Sequence, residues 1–365
     1  MKKKVKEEPV KTPKSIVTKK INAGRFGFDL DAVKKSKNLL KTAVFKKEEW
    51  YELAPAFKDA TGTPGPAKGH ITIFRGHSDT GKTTAMIETA MAVQKAGDLP
   101  VFIITEMKWS WEHAKTMGFE VTEVIDHETG EISYAGDFIY IDRGSLNTVE
   151  DVAGFIADIL DEQKKGTIPV NICFLWDSAG SIPSLQSYES NKNNAMWNAG
   201  AMATQFGNFI NQKIILSRKD TSKYTNTLVV VNKIRVEYPM GGNPKEQPKM
   251  KNKGGDAMFW DATYVFTFGN IKGPGTTKVK AVKDGNQIEW AKIVRVSVDK
   301  NHMTGLTTAG QIVTTAHGFI KNDKKDMDKY KKAHVEEWSK ILGSTDFDII
   351  EEEDNTEVKM STEED

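Results

Sequence analysis

Cysteine is almost missing from this chain. Cys173 stands alone among 365 residues, so no disulfide can form within it. A fold without cross-links and with a thiol suits a reducing compartment, which points to the cytoplasm, or a host's cytoplasm if the source is viral. Long apolar runs are missing as well. None approaches the roughly 20 residues that a bilayer-spanning helix needs, so no membrane partner is expected. The basic start, MKKKVKEEPVKTPK, has no apolar stretch behind it and does not read as a secretory signal. Net charge is nearly absent, at +1, yet the charges are unevenly placed. Residues 1–20 carry eight Lys against two Glu, and residues 344–365 carry ten acids against Lys359 alone. Both ends read as solvated tails. An acidic tail can also compete with a polyanion for the protein's own basic surface.

What is present is ordinary globular material: 38% apolar and 28% charged residues, in a chain long enough for one large core or two modest domains. The first 50 residues read as an N-terminal arm and a candidate subunit contact, with a short element over residues 48–57. After the turn-rich TGTPGPAKG, apolar runs alternate with helical patterns. Strands are expected over residues 71–74, 101–105, 138–141, 170–176 and 227–232. Helices are expected over 82–96 and 195–211, with a polar hairpin around 126–131. Asn147 or Thr148 caps a further helix that places Val149, Val152, Phe155, Ile156, Ile159 and Leu160 on one face. Strands alternating with helices predict an α/β fold, a mainly parallel sheet with helices on both sides. From Tyr264 onward the pattern turns to strands, over 264–268, 278–282 and 293–298.

Residues 76–84 read GHSDTGKTT and match G-x-x-x-x-G-K-[ST] at every fixed position. Glycines let such a loop curl so that its N–H groups face phosphate oxygens, and the helix that follows favours anions at its start. Gly76, His77, Ser78, Asp79, Thr80, Gly81, Lys82, Thr83 and Thr84 are therefore candidate ATP-binding residues. Lys82 would reach the β- and γ-phosphates, and the Thr83 hydroxyl would ligate Mg²⁺. The bland alternative is an accidental Gly-rich turn, against which stand the apolar strand before it and the helical run after it. A Mg²⁺ carboxylate is expected at the end of an apolar strand, and ICFLWD supplies Asp177. Such an Asp can also simply cap the next turn. Attack by water needs a group to orient or deprotonate it, and Glu106 stands just beyond VFIIT. Glu88 and Glu112 are rivals on helical segments, where solvation is the simpler expectation.

With these residues in view, the chain resembles the RecA-type recombinases, including their phage UvsX-like branch, from about Tyr51 to His302. The P-loop is shared by many nucleotide-binding proteins. The ordered set GHSDTGKTT, TEMKW, FLWDS, VVVNKIR, KGGDAMFWDA and RVSVDKNH is more specific. The resemblance implies a RecA-like core over 51–305, which leaves a small C-terminal region over 306–343, and the charge of residues 344–365 reads as an acidic disordered tail. The resemblance also implies catalysis by Glu106 with Lys82, DNA loops near 181–197 and 235–254, and DNA contacts by Met196, Arg235, Tyr238, Gly254 and Gly255. Lys300 would reach ATP in a neighbouring subunit, and His113 would stack on adenine. Lys233 stands where the family carries a Gln that senses the γ-phosphate, and His302 occupies a second basic position.

The residues themselves permit DNA binding. Arg235, Lys245, Lys249, Lys251 and Lys253 outnumber Glu237 and Glu246 in a Gly- and Pro-containing stretch, which suits backbone phosphates. A solvated surface excursion fits the same composition, and for Met196 and Trp197 core at a helix start is the stronger reading of the residues alone. The resemblance implies a DNA-dependent ATPase that forms filaments on single-stranded DNA and pairs it with duplex DNA. Its partners would be further copies of itself, in a helical filament ahead of a ring, with single-strand-binding and loader proteins. A hexameric replicative helicase motor and an accessory RecA-like ATPase are the alternatives. The polar, short stretch before Tyr51 leaves little room for a helicase's helical N-terminal domain.

Overall fold

The computed structural model describes residues 46–353, apart from 193, 220, 238–248, 253–254 and 271–274. The expected arm therefore lies outside the described residues up to residue 45, as do residues 354–365. The rest is an α/β fold in which helices flank one mixed sheet.

Extended residues lead into α1 (Pro55–Thr61), which begins on proline, where a missing N–H costs nothing. Next come β1 (Ile71–Gly76), α2 (Lys82–Lys95), β2 (Leu99–Ile104) and α3 (Trp111–Met117). The polar hairpin is present as β3 (Thr122–Ile125) and β4 (Ile132–Ala135), followed by β5 (Ile139–Asp142). α4 (Val149–Lys165) opens with a capping box. The Thr148 hydroxyl accepts from the Asp151 N–H, and the Asp151 carboxylate accepts from the Thr148 N–H. β6 (Ile172–Asp177), α5 (Leu185–Glu189) and α6 (Ala195–Gln205) follow; α6 passes through a π turn, Phe206–Ile210, into α7 (Asn211–Leu216).

The second half holds β7 (Thr227–Glu237), β8 (Lys249–Asn252), α8 (Ala257–Asp261), β9 (Tyr264–Phe268), β10 (Thr276–Lys283) and β11 (Asn286–Asn301). It ends with β12 (Ala309–Thr315), β13 (Gly318–Lys321), α9 (Lys324–Leu342) and β14 (Asp348–Glu353).

The sheet runs β13-β12-β11-β9-β1-β7-β6-β2-β5. From β9 to β5 every pairing is parallel. Parallel strands buried on both faces read as continuous apolar runs, and their alternate side chains feed two cores. Phe74, Phe102, Leu175, Val229 and Phe266 meet Met86, Ala90 and Val93 of α2 on one face. Ile73, Ile103, Phe174, Trp176 and Val230 meet Val152 and Ile156 of α4, with Met202 and Phe206, on the other.

Two expectations about the C-terminal part need correction. No break falls at residue 305, because β12 pairs with β11 and continues the sheet of the core. The acidic end is not wholly a disordered tail either: β14 pairs antiparallel with the edge strand β10, and Glu352 forms an ion pair with Lys280. Phe347 anchors this strand against Trp338 of α9 in a third apolar cluster.

Candidate functional site

Parallel strands gather their carboxyl ends on one edge, which is where open α/β sheets present ligand-binding loops. The register places Gly76 of β1 beside Lys233 of β7, and Asp177 of β6 beside Val231 of β7 and Ile104 of β2. Glu106 follows β2 by two residues. Four segments distant in sequence thus converge.

The loop from Gly76 to Thr84 joins β1 to α2. At Gly76 a Cβ would lie 2.3 Å from the Phe268 carbonyl oxygen of the neighbouring strand, so only glycine fits. Gly81 has φ 91° and caps α2, where a side chain would be both strained and pressed on Thr314. Lys82 is buried and its ammonium donates to the His77 carbonyl; Thr80 Oγ1 donates to the same oxygen at 2.8 Å. Burial is the main cause that brings the Lys82 ammonium down to about 8, with Lys233 adding to it, while Asp177, Glu106 and Asp79 oppose the change. Ser78 and Asp79 are exposed.

Thr83 Oγ1 donates to Asp177 Oδ2 at 3.2 Å. Burial pushes the Asp177 carboxyl up to about 6, the nearby Glu106 charge adds to this, and the Thr83 hydrogen bond, Lys82 and Lys233 pull it back. A hydroxyl and a carboxylate at this spacing form a hard oxygen donor pair that fits Mg²⁺ together with waters and phosphate oxygens. Among the described residues no group of three His, Cys, Asp or Glu side chains could hold a metal by itself.

The Glu106 carboxylate is fully engaged. Ser178 Oγ donates to its Oε2 at 3.0 Å, the Lys233 ammonium donates to Oε1, and Lys108 Nζ lies 3.4 Å from Oε1. Burial would raise this carboxyl, but hydrogen bonding and charge from Lys233, then Ser178 and Lys108, outweigh it and hold the group low. The rivals stand elsewhere. Glu112 is exposed and accepts from Tyr134 Oη at 3.0 Å. Glu88 is buried rather than solvated, a correction to its expected setting; it accepts from the Ala54 and Phe319 N–H groups at 2.9 and 2.7 Å.

A cavity of about 440 Å³ opens beside the loop, lined by Asp79 to Thr84 and His113, and also by Trp290, Lys292 and Thr314. The last three were missed, because antiparallel strands far along the chain deliver them. His113 is held below its usual pKa by burial first and His317 second. Lys300 does not line this cavity. Its ammonium donates to the Phe259 and Trp260 carbonyls at 2.8 and 2.6 Å, and burial lowers its pKa.

The two expected DNA segments carry regular structure at their described residues. The first, residues 181–197, contains α5 and the start of α6, which Asn194 caps by accepting from Met196 and Trp197 N–H groups. Met196 is 82% exposed, which removes the core reading for it; Trp197 is half-buried. The second is rooted in an antiparallel ribbon of β7 and β8, with Ile234 opposite Asn252 and Arg235 opposite Lys251. Tyr238 and Gly254 lie outside the described residues. Gly255 has φ 95°, and a Cβ there would sit 3.0 Å from the Ala199 Cβ, so the segment closing the ribbon packs on α6.

No protein-family model matches the chain. Among curated proteins, "Protein RecA" of Lactococcus lactis subsp. cremoris (strain MG1363) is 22% identical over 283 residues, covering 72% of this chain and 62% of that relative. "Protein RecA, chromosomal" of Lactococcus lactis subsp. lactis (strain IL1403) is 22% identical over 321 residues, covering 80% of this chain and 72% of the relative. The chain is distantly similar to bacterial RecA. That likeness supports a RecA-like family, in agreement with the mainly parallel sheet flanked by helices. Among the described residues, no helix is long and apolar enough to cross a membrane.

Proposed function

We propose that this chain is an ATP-dependent DNA recombinase of RecA type that polymerises on single-stranded DNA and pairs it with a homologous duplex. One observation carries the reading. The strand that brings Lys233 to the phosphate loop, Asp177 and Glu106 continues without a break into the basic ribbon rooted at Ile234. A nucleotide site and a polyanion-binding element thus share one strand.

Residue roles follow from the chemistry. Backbone N–H groups from Gly76 to Thr84 cradle phosphates, and Lys82 leaves the His77 carbonyl to meet the β- and γ-phosphates. Thr83 and Asp177 hold Mg²⁺, which when bound offsets charge developing on the transferred phosphoryl group. Glu106 orients and deprotonates the attacking water. His113 borders the space for the base. Arg235, Gly254 and Gly255 meet DNA phosphates, and Met196 and Tyr238 wedge between unstacked bases. Lys300 exchanges its intrachain carbonyls for the nucleotide of an adjoining copy. ATP binding favours the filament, and hydrolysis resets it.

Electron microscopy of the full chain with an ATP analogue, Mg²⁺ and single-stranded DNA tests this reading. Helical filaments are expected. Closed rings would favour a helicase motor, and free monomers an accessory ATPase.

A further inference from the structure

We propose that the edge of the sheet where β1, β6 and β7 begin is a docking surface for a partner protein's acidic segment that also carries a large apolar side chain. The inference goes beyond the nucleotide and DNA reading and does not rest on it.

Two adjoining cavities make the surface, and Lys223 lines both. The first, of about 520 Å³, has apolar walls from Leu160 of α4, Leu216 of α7 and Tyr224, with Lys164, Lys213 and Lys223 around them. Leu216 is 49% exposed, although Ile214 of the same helix is fully buried. Tyr224 Oη is enclosed and has no hydrogen-bond partner among the described residues, so an entering carbonyl or carboxylate would satisfy it.

The second cavity, of about 340 Å³, is lined by Lys46, Lys47, Lys68, Arg218 and Lys223 against Glu48 and Glu49. Part of this charge is already engaged: Asp161 holds Lys164, Asp98 holds Lys68 and Glu48 holds Arg218. Lys46, Lys47 and Lys223 meet no carboxylate among the described residues. Lys46 Nζ donates only to neutral oxygens, Thr225 Oγ1 at 2.8 Å and the Ser217 carbonyl at 3.3 Å, and burial lowers its pKa. Lys223 Nζ lies 4.9 Å from the Tyr224 ring centre.

Position separates this surface from the candidate site. Lys68, Asn171 and Thr225 stand just before β1, β6 and β7. Lys233 and the basic ribbon belong to the other end of β7, whose 11 residues span about 33 Å at about 3.3 Å each. The two cavities also define the ligand. Carboxylates answer the lysines, and an apolar side chain fills the recess against Leu160 and Leu216, as a buried anchor inside a polar rim. A polynucleotide supplies charge but leaves the aliphatic recess empty, and Lys223 already covers the one ring on which a base would stack.

Fluorescence anisotropy of the full chain with a labelled synthetic peptide tests this, the peptide being a short run of aspartate and glutamate around one phenylalanine. Wild type should bind it, less tightly as salt rises. Serine in place of the phenylalanine should weaken binding about tenfold, the scale of one buried aromatic side chain. Leu216→Asp and the double variant Lys47→Glu/Lys223→Glu should each weaken it about tenfold or more, while keeping the wild-type melting temperature and ATP hydrolysis. No binding by wild type, or equal binding of the serine peptide, would overturn the proposal. Displacement of the peptide by oligothymidylate without nucleotide would assign the surface to nucleic acid instead. A chain ending at Glu353 that binds where the full chain does not would assign it to residues 354–365 of this protein, which equally overturns a partner's segment as the occupant.

Discussion

The Arg75 guanidinium meets Asp299 at 2.8 Å, tying the end of β1, just before the Gly76–Thr84 loop, to the strand that carries Lys300. Arg75 also donates to Thr267 and Asn252, and its guanidinium lies 4.8 Å from the Phe259 ring centre. Asn252 in turn closes the ribbon against Ile234 and donates to Asp256. One buried cation therefore joins β1, the ribbon root and the segment around α8. Arg75→Ala should destabilise the fold by about 3–5 kcal/mol, the usual cost of leaving a buried charge network without its partner. Chemical denaturation reads this, and a change below about 1 kcal/mol would show that the network is dispensable.

The Gly76–Thr84 loop and Glu106 should separate binding from chemistry. Lys82→Ala should abolish hydrolysis. Glu106→Gln should retain nucleotide but lower single-turnover hydrolysis by about 10²–10⁴, the typical loss for a positioned base. Phosphate release measured under single-turnover conditions checks both. Equal turnover in wild type and Glu106→Gln would refute the role given to Glu106.

Glu88 makes stability depend on pH. Burial raises its carboxyl to about 7, with the Ala54 and Phe319 N–H groups opposing. Its folded-state pKa lies above the unfolded value, so the folded chain binds more protons between about pH 4.5 and 7. The stabilisation from this group is fully present below about pH 4.5 and is lost as pH rises through 7. Thermal melts of wild type should therefore show a downward slope across this window that Glu88→Gln flattens. Gln also turns an N–H₂ toward one of the two donors, so the variant should be less stable at acid pH. A slope identical in both proteins would assign the pH dependence elsewhere.

The ribbon should bind DNA through phosphates. Arg235→Ala is expected to weaken single-strand binding by a similar factor for all sequences and to reduce the salt slope by about one. Fluorescence anisotropy across a salt titration measures this. An unchanged slope would take Arg235 out of the interface.

Much of this architecture was legible from the chain. The phosphate loop is a local pattern, and the strand before it and helix after it are set by short-range periodicity. Asp177 and Glu106 stand out in the sequence because each ends or follows an apolar run. The contact between Lys233 and Glu106 was not legible, because it depends on β7 and β6 lying between β1 and β2, an order that no local pattern encodes. The same holds for Trp290 and Thr314, carried to the cavity by antiparallel strands. α9 did leave a signal: Asp323 as cap, then Met327, Tyr330, His334 and Trp338 at helical spacing, and Gly343 at its end. Its Lys-rich surface obscured that stripe. In β14 the acidic side chains masked an edge strand whose backbone bonds and Phe347 anchor outweigh its charge.

The most direct test is the rate of phosphate release from Mg-ATP by the purified full chain, with and without single-stranded DNA. Hydrolysis that DNA accelerates, and that Lys82→Ala removes, is the predicted result. A folded wild-type protein that releases no phosphate under either condition would contradict the account.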